Sequence, residues 1–325
     1  MKPLPYPERL RSCYNESMHS KQQRLPRFMR DPDAAGSFQF TRRDLTILSI
    51  VAEHRFIRSE WIVRLAGGSE QQVLRRLSLL YHHDYLDRPR AQLDYHHRGG
   101  SHSIIYGLAS RGAGRLRRDL NMPFDRMDWT TRNRSIGRLF LEHTVLVSDF
   151  IATQLCLGSQ GASFISADDI EKPKGREESH QPFRWSVNQC NGRNATVVPD
   201  KVFAFETRQP DGRVVRTHYL VEADRGTMPI TRSNKRQSSV MQKLRTYHLL
   251  SQKPGSLPPN TLVVLLSISE HRLNNIVQAI ADAGLPKRLF KMAHYNDMVI
   301  HPPAGGWNTG TDAPSSAVES SRLIP

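Results

Sequence analysis

Acidic residues at two strand-like runs in the second half of the chain have the types and spacing of a metal site. Asp200 opens one run, and Glu222 and Asp224 close the next. A basic helix follows, in which Lys243 and Tyr247 stand four residues apart. Carboxylates on neighbouring strands can converge on a hard divalent cation, and a lysine beside them can stabilise a phosphoryl transition state. We therefore predict Asp200, Glu222 and Asp224 as metal ligands, with Mg²⁺ as the cofactor if the site is active, and Lys243 as the catalytic residue.

Structural roles for the same residues stay open beside this prediction. Asp200 follows a proline and suits a turn or the start of a strand, while Glu222 and Asp224 could pair with Arg225 or Arg245 at a strand end. Carboxylates without a nearby cation repel one another and repel phosphate, so nuclease chemistry requires Mg²⁺ among them. A degenerate site that only supports the fold is the simpler interpretation.

The charge of the chain indicates a polyanionic partner. Its 325 residues carry 46 basic and 31 acidic side chains, a net charge of +15 and an isoelectric point of about 10.1. Residues 1–135 hold 24 of the basic and 14 of the acidic side chains. We therefore expect double-stranded DNA as the partner, bound mainly by the N-terminal part. A basic surface kept only for solubility is the alternative.

Other kinds of site and location are disfavoured by the sequence. The three cysteines lack metal-ligand spacing, and their odd number argues against a disulfide framework, so a reducing cytoplasm fits. No apolar run approaches the roughly 18 residues that span a bilayer, so no membrane is expected as a partner. No Walker loop, GxGxxG, HExxH or CxxC motif occurs, and no histidine cluster of the relaxase type is present.

Residues 38–120 have the pattern of three helices followed by a hairpin. A helix begins after Thr41, a second runs from Glu60 to Leu65, and a third begins at Ser69, where Gln72 completes a capping box. The third helix is predicted to bury four leucine or valine side chains, namely Val73, Leu74, Leu77 and Leu80. Its opposite face is predicted to expose four polar ones, namely Gln71, Gln72, Arg75 and Arg76.

A hairpin with a basic tip follows the third helix and completes the pattern of a winged helix-turn-helix domain. Its arginines are Arg88, Arg90 and Arg98. In such a domain the third helix enters the major groove of DNA. We therefore predict that these arginines and the exposed face of the third helix bind DNA. A winged helix used only for protein contacts is the alternative.

The remaining chain supplies an arm, a linker, a second domain and a tail. Residues 1–37 are predicted to form a flexible basic arm, 121–135 a linker, 136–298 an α/β domain and 299–325 a disordered tail. In the α/β domain, two strand-like runs flank a hairpin signal at 209–212, and 261–268 forms a buried strand. Helices are predicted at 136–157, at about 235–250 and at 270–283.

The chain resembles the replication-relaxation family in several features. These are the block EADRGT at 222–227 with Lys243 and Tyr247, the winged-helix order, and the helix that carries Glu142 and Asp149. The resemblance covers about residues 40–295. It implies a bacterial DNA-binding protein of plasmids or mobile elements that acts with replication or relaxosome machinery. A relaxase or replication protein is then an expected partner, and a homodimer stays open.

The C-terminal half also resembles the PD-(D/E)xK nuclease fold. This likeness implies an α+β chain in which a restriction-endonuclease-like domain with a mixed sheet follows the winged helix. On that pattern Asp200 matches the first metal-binding aspartate, Glu222 the acidic residue of ExK and Glu142 a helical glutamate used by some members. Asp224 stands where the lysine of ExK is expected, and Lys243 could supply the cation from the helix.

Three functions follow, from two classes. The favoured one is a non-enzymatic, double-stranded DNA-binding accessory protein of plasmid or mobile-element replication and relaxation. The alternatives are a Mg²⁺-dependent DNA endonuclease and a transcriptional regulator of a mobile element. Convergence of the carboxylates around a cation would favour the nuclease.

Overall fold

The computed structural model describes residues 27–93, 103–157, 162–167, 169–170, 183–188, 194–233 and 238–297. The chain divides into two compact units, Met1–Val145 and Leu146–Pro325. The predicted tip of the hairpin around Arg98, most of the arm and the tail lie outside the described residues.

The first unit is mostly helical. Its elements are α1 (Pro32–Ala35), α2 (Arg42–His54), β1 (Phe56–Arg58), α3 (Ser59–Ala66), α4 (Glu70–His82), β2 (Leu86–Asp87), β3 (Ile105–Leu108), α5 (Ser110–Leu120) and α6 (Trp129–Arg134). The short strands form an antiparallel sheet in the order β1-β3-β2. The predicted three helices, and the strand after them, are therefore present.

Residues at helical spacing build the core of this unit. Ile47, Leu48 and Val51 of α2 meet Val73 and Leu77 of α4 in one buried cluster. The prediction that Leu74 is buried is wrong, since 40% of it is exposed. Leu74 lies about 100° around the helix from Val73, which turns it away from the core.

The predicted capping box at the start of α4 is also wrong. The Ser69 side chain makes no capping hydrogen bond. The Gln72 side-chain oxygen instead accepts a hydrogen bond from Arg43 Nη1 at 3.3 Å. A cap forms at α2, where the backbone N–H and the hydroxyl of Thr41 donate to Asp44 Oδ2 at 2.6 and 2.7 Å.

Residues 27–36, which we predicted as part of a flexible arm, form a strap across the C-terminal end of α4. Arg30 Nε donates to the Tyr81 carbonyl at 3.0 Å, and the guanidinium carbon lies 4.9 Å from the Tyr81 ring centroid. The Asp31 N–H donates to Nδ1 of the buried His82 at 3.0 Å. These contacts attach the segment because its polar groups find partners at the helix end.

The predicted linker 121–135 contains α6 and packs on the first unit. Trp129 and Phe124 meet edge to face with ring centroids 5.7 Å apart, and both rings lie against the core. Asn133 is 1% exposed, and its Nδ2 donates to the Leu108 carbonyl at 2.8 Å. The aromatic residues in this segment are apolar enough to bury, so it does not behave as a linker.

A long helix, α7 (Arg138–Leu157), contains the boundary between the two units. The second unit then comprises β4 (Ala162–Ile165), β5 (Trp185–Asn188), β6 (Asn194–Val197), β7 (Lys201–Arg208), β8 (Val214–Asp224), α8 (Val240–Ser251), β9 (Thr261–Ser267), α9 (Glu270–Asp282) and β10 (Phe290–His294). The five-stranded sheet has the order β10-β9-β8-β7-β4. β8, β9 and β10 are parallel, whereas β7 is antiparallel to both β8 and β4. The predicted α+β class with a mixed sheet is confirmed.

Side chains alternate between the two faces of this sheet along each strand, and both faces are covered by other elements. On one face, residues such as Leu220 and Val263 pack against α8, α9 and the β5–β6 hairpin. On the other face, residues such as Tyr219 and Val264 pack against the second half of α7. The predicted hairpin joins β7 to β8, with Gly212 at φ +82°, a left-handed backbone that glycine adopts readily.

One described helix, Arg138–Cys156, is long and apolar enough to cross a membrane, and 61% of the scored stretch is buried. The core helix of a soluble protein passes the same test. The finding is therefore only weak evidence for a membrane span.

Candidate functional site

The exposed face of α4 presents three of the predicted DNA-binding residues. Gln71, Gln72 and Arg75 are all exposed. Arg75 makes no hydrogen bond or ion pair with any residue in the described part of the chain. Its guanidinium is therefore available to an external acceptor, although a role in binding DNA stays a prediction.

Arg76, predicted to share that face, is engaged inside the unit instead. Its Nε donates to Asp44 Oδ1 at 2.8 Å, and its Nη2 contacts Asp44 Oδ2 and the Gln39 carbonyl. Asp44 is 0% exposed, and the guanidinium carbon of Arg76 lies 4.8 Å from the Phe38 ring centroid. The predicted exposure of Arg76 is corrected, because the buried carboxylate of α2 draws the guanidinium inward.

The arginines predicted on the hairpin have different locations. Arg88 is only 7% exposed, so its predicted place on an exposed wing is corrected. Its Nη2 donates to the Tyr106 hydroxyl at 2.9 Å, and its guanidinium stacks on the Tyr81 ring. Arg90 is exposed, whereas Arg98 lies outside the described residues.

The acidic residues of the second unit lie near one end of the five-stranded sheet. Glu222 and Asp224 are two apart on β8 and therefore share a face. Asp200 immediately precedes β7, where its N–H donates to the Val221 carbonyl at 2.8 Å and its Oδ2 accepts from the Ala223 N–H at 2.8 Å. The antiparallel register, which pairs Lys201 with Val221, places Asp200 opposite Glu222.

The carboxylate of Glu222 accepts hydrogen bonds from two side chains of α8. Lys243 Nζ lies 2.6 Å from Glu222 Oε2, and the Tyr247 hydroxyl donates to Glu222 Oε1 at 2.6 Å. The four-residue spacing of Lys243 and Tyr247 brings both onto one carboxylate, since such positions share a helix face. Glu222 and Tyr247 are 5% and 0% exposed. This arrangement joins β8 to α8 and satisfies a buried charge.

Burial and charge shift the pKa values in this group. Burial is the main reason that the pKa of Glu222 is raised, with Asp200 adding to it and Lys243 opposing it. Burial by itself would lower the pKa of Lys243, but Glu222, Asp200 and Asp224 outweigh it, so the pKa is raised. Burial and the carboxylate of Glu222 raise the pKa of Tyr247. Lys243 therefore stays cationic and Tyr247 stays a donor at neutral pH.

Asp224 has a separate partner. Arg272 on α9 donates to its two oxygens, from Nε at 2.5 Å and from Nη2 at 3.1 Å. Arg272 also contacts the Met228 carbonyl, which fixes the loop after β8. Asp224 is therefore part of a bidentate ion pair between β8 and α9. The structure does not show the pairing with Arg225 or Arg245 that the sequence left open for Asp224.

These contacts bear on the predicted metal site. Across the part of the chain that the structure describes, no group of three or more His, Cys, Asp or Glu side chains is placed to hold a metal ion. Asp200 and Glu222 lie at one strand end, but an ammonium and a phenol occupy the oxygens of Glu222. A Mg²⁺ site formed by Asp200, Glu222 and Asp224 stays a prediction.

Glu142, matched in the sequence to a helical glutamate, forms an i,i+4 pair with Arg138, whose Nε lies 2.7 Å from its Oε1. Burial raises its pKa. It belongs to the first compact unit, whereas Asp200 and Glu222 belong to the second.

Sequence reasoning missed Arg272 and Asp44 as ion-pair partners. Arg272 lies in the first turn of α9, directly after β9, and a basic residue there is close to the end of the neighbouring parallel strand. Asp44 stands three residues after Thr41, a spacing typical of a helix cap. Nothing in the sequence pattern connects it to an arginine 32 positions later.

The family comparison agrees with the sequence resemblance. The model of the replication-relaxation family matches residues 48–264, about two thirds of the chain. The match includes α4, Asp200 before β7, Glu222 and Asp224 of β8, and Lys243 with Tyr247. No curated protein and no solved structure matches the chain. With the family model covering this much of its length, the chain belongs to the replication-relaxation family.

Proposed function

We propose that the chain is a double-stranded DNA-binding accessory protein of plasmid or mobile-element replication and relaxation, and that it acts in the bacterial cytoplasm without catalysis. The observation that carries the proposal is the exposed polar face of α4, on which the Arg75 guanidinium has no partner among the described residues. Membership of the replication-relaxation family and the net charge of +15 support it.

The first unit serves as a winged helix in this proposal. Its order of α2, β1, α3, α4, β2 and β3 fits that fold, with α4 as the helix that enters the major groove. Gln71 and Gln72 can each donate and accept, as readout of adenine requires, and Arg75 can bind guanine or phosphate. Arg90 and Arg98 would contact the backbone beside it. Arg76 and Arg88 hold the domain together instead.

The second unit serves as a scaffold with a degenerate PD-(D/E)xK-like fold. The ion pairs of Glu222 with Lys243 and of Asp224 with Arg272 tie β8 to both helices of one sheet face. Those contacts favour a rigid platform over an open catalytic site. A relaxase or replication protein, or a second copy of the chain, would assemble on it.

Replacement of Arg75 by Ala tests the proposal. If Arg75 binds guanine, duplex affinity falls by about 1–3 kcal/mol and specificity relaxes at one position. If it binds phosphate, affinity falls uniformly and the salt slope falls by about 0.9. Arg245→Ala is the control, because Arg245 is an exposed arginine of the second unit and the charge change is equal. Equal affinity of both variants for DNA, with the fold intact by circular dichroism, refutes α4 as the reader.

A Mg²⁺-dependent nuclease is the second candidate. The observation in its favour is that Asp200 lies opposite Glu222 at one end of the sheet, and that Lys243 Nζ is 2.6 Å from Glu222 Oε2. The engagement of Glu222 by Lys243 and Tyr247 argues against it, because a metal ion would have to displace these donors. We therefore expect no cleavage of supercoiled plasmid in Mg²⁺ or Mn²⁺. Nicking that EDTA, Asp200→Ala and Lys243→Ala each abolish would place the nuclease first.

A further inference from the structure

A pair of arginines on one indole ring forms a basic cluster built from residues outside α4. The guanidinium carbon of Arg55 lies 4.6 Å from the Trp129 ring centroid, and that of Arg132 lies 5.7 Å from it. The guanidinium carbon of Arg55 also lies 4.6 Å from the ring centroid of Phe56. All these residues belong to the first unit. The aromatic rings hold two like charges near each other.

The position of Arg55 is fixed by its backbone as well as by the rings. Arg55 follows the last residue of α2 with φ 64° and ψ −56°, a conformation that a residue with a side chain rarely adopts. Such strain persists where the surroundings over-determine the conformation, and it concentrates at functional sites. Contacts with Phe56 and Trp129 supply that constraint. The guanidinium is therefore pre-organised.

The charges of the cluster have no matching acceptor among the residues that the structure describes. The guanidinium groups of Arg55 and Arg132 form no ion pair and no hydrogen bond within the described part of the chain. Arg55 Nη1 and Trp129 Nε1 are buried donors without a partner among those residues. Asp128 acts on Arg55 through space, but its own oxygens accept from Arg126 at 3.2 and 3.0 Å.

The pKa of Arg55 is consistent with this excess of positive charge. Burial, and then the positive charge of Arg132, lower the pKa of Arg55 to about 10, while Asp128 acts in the opposite direction. Arg55 is half-buried and Arg132 is exposed, and an anion bound near both would relieve their mutual repulsion.

We propose that Arg55 and Arg132, supported by the Trp129 ring, bind a phosphate oxyanion, and that its source is the backbone of the bound DNA. A phosphodiester presents several acceptor oxygens, and the planar guanidinium fork matches them. Arg132 is exposed and meets the phosphate first, while Arg55 donates from its fixed position. The assignment of DNA as the source rests on the proposed function. The anion site itself does not.

Arg132→Ala tests the DNA source. The variant is expected to bind duplex DNA roughly ten-fold more weakly, the effect of one lost charge-assisted contact, and to lower the salt slope by about 0.9. Arg118→Ala is the matched control, because Arg118 is an exposed arginine of the same unit that is already paired with Asp119. An Arg132→Ala variant with the affinity and salt slope of the control overturns DNA as the source.

A second readout tests the anion site without DNA. Pyrophosphate is titrated into the ¹⁵N-labelled full chain, and the indole N–H signal of Trp129, one of four tryptophans, is assigned with Trp129→Phe. A saturable shift of that signal, lost in Arg132→Ala and kept in Arg118→Ala, supports the site. No shift at millimolar pyrophosphate overturns it.

The two readouts separate the proposals. A pyrophosphate shift in a wild-type chain that does not bind DNA refutes the proposed function and leaves the anion site standing. A shift combined with unchanged DNA binding by Arg132→Ala assigns the site to a free phosphate compound and refutes the DNA source.

Discussion

Two buried tyrosines of β8 and α8 give a matched test of how the second unit is held together. Tyr247 and Tyr219 are both 0% exposed. The Tyr247 hydroxyl donates to Glu222 at 2.6 Å, whereas the Tyr219 hydroxyl is buried without a partner in the described part of the chain. Replacement of either by Phe removes one oxygen and keeps the ring. The two variants are therefore expected to change stability in opposite directions.

The magnitudes follow from the contacts. Tyr247→Phe removes a hydrogen bond to a carboxylate, which typically contributes about 1.5–3 kcal/mol. Lys243 still holds the other oxygen of Glu222. We therefore expect a loss of about 2 kcal/mol. Tyr219→Phe removes a buried hydroxyl that has no acceptor among the described residues, and the stacking on Phe203, with centroids 4.8 Å apart, is kept. A gain of about 1 kcal/mol is expected.

Hydrogen exchange is the suitable assay, because the chain has two units and a single unfolding transition cannot be assumed. Exchange of the β7 and β8 amides in a urea series reports the opening of this sheet by itself. Tyr247→Phe is expected to speed that exchange about 30-fold and Tyr219→Phe to slow it. A Tyr247→Phe effect below about 0.5 kcal/mol refutes the reasoning about Glu222. A clear loss from Tyr219→Phe refutes the reasoning about the buried Tyr219 hydroxyl.

Further predictions concern the first unit. Arg76→Ala leaves the buried Asp44 without its cation and should lower the stability of this unit by about 3 kcal/mol. Arg75→Ala should change the stability by no more than about 0.5 kcal/mol. Urea unfolding followed by hydrogen exchange measures both, and equal losses would contradict the assigned roles. Burial, and then Arg88, lower the pKa of His82 from its usual 6.5, so the unfolded chain takes up the proton first and stability falls as the pH drops below about 6.5. His82→Asn keeps an acceptor for the strap without titrating, so its stability should fall less between pH 7.5 and 5.5; an unchanged slope would count against this account.

The periodic features of the fold could be predicted from the sequence. Apolar residues at helical spacing indicated α2 and α4, and the hairpin signal at 209–212 indicated the β7–β8 pair. The continuous apolar run at 261–268 indicated the buried parallel strand β9. These elements follow local rules, since hydrophobic periodicity and turn residues act within a few positions.

The direction of long side chains could not be predicted in the same way. Arg75 and Arg76 are neighbours on α4 and look alike in sequence. Only Arg76 meets the buried Asp44, because that carboxylate comes from a different helix. The docking of residues 27–36 likewise depends on the carbonyl groups and the histidine at the end of α4, which polarity alone does not reveal.

The residues of the candidate site were predicted from the sequence, but the contacts between them were not. The spacing of Lys243 and Tyr247 indicated a shared helix face, and the strand ends indicated a cluster of carboxylates. Arg272, which neutralises Asp224, comes from α9, 48 positions further along the chain. Basic partners that are distant in sequence neutralise these acidic residues. The residues predicted as a metal site are therefore candidate ion pairs.

Hydrogen-exchange mapping of the full chain with and without duplex DNA tests whether α4 binds DNA. We expect DNA to slow exchange in the first half of α4, residues 70–76, and to leave exchange in β8 and α8 unchanged. Competition with excess salt should reverse the protection, because phosphate contacts depend on counterion release. Protection confined to β8 and α8, or no protection of α4 at DNA concentrations that saturate binding, would contradict the binding of DNA by α4.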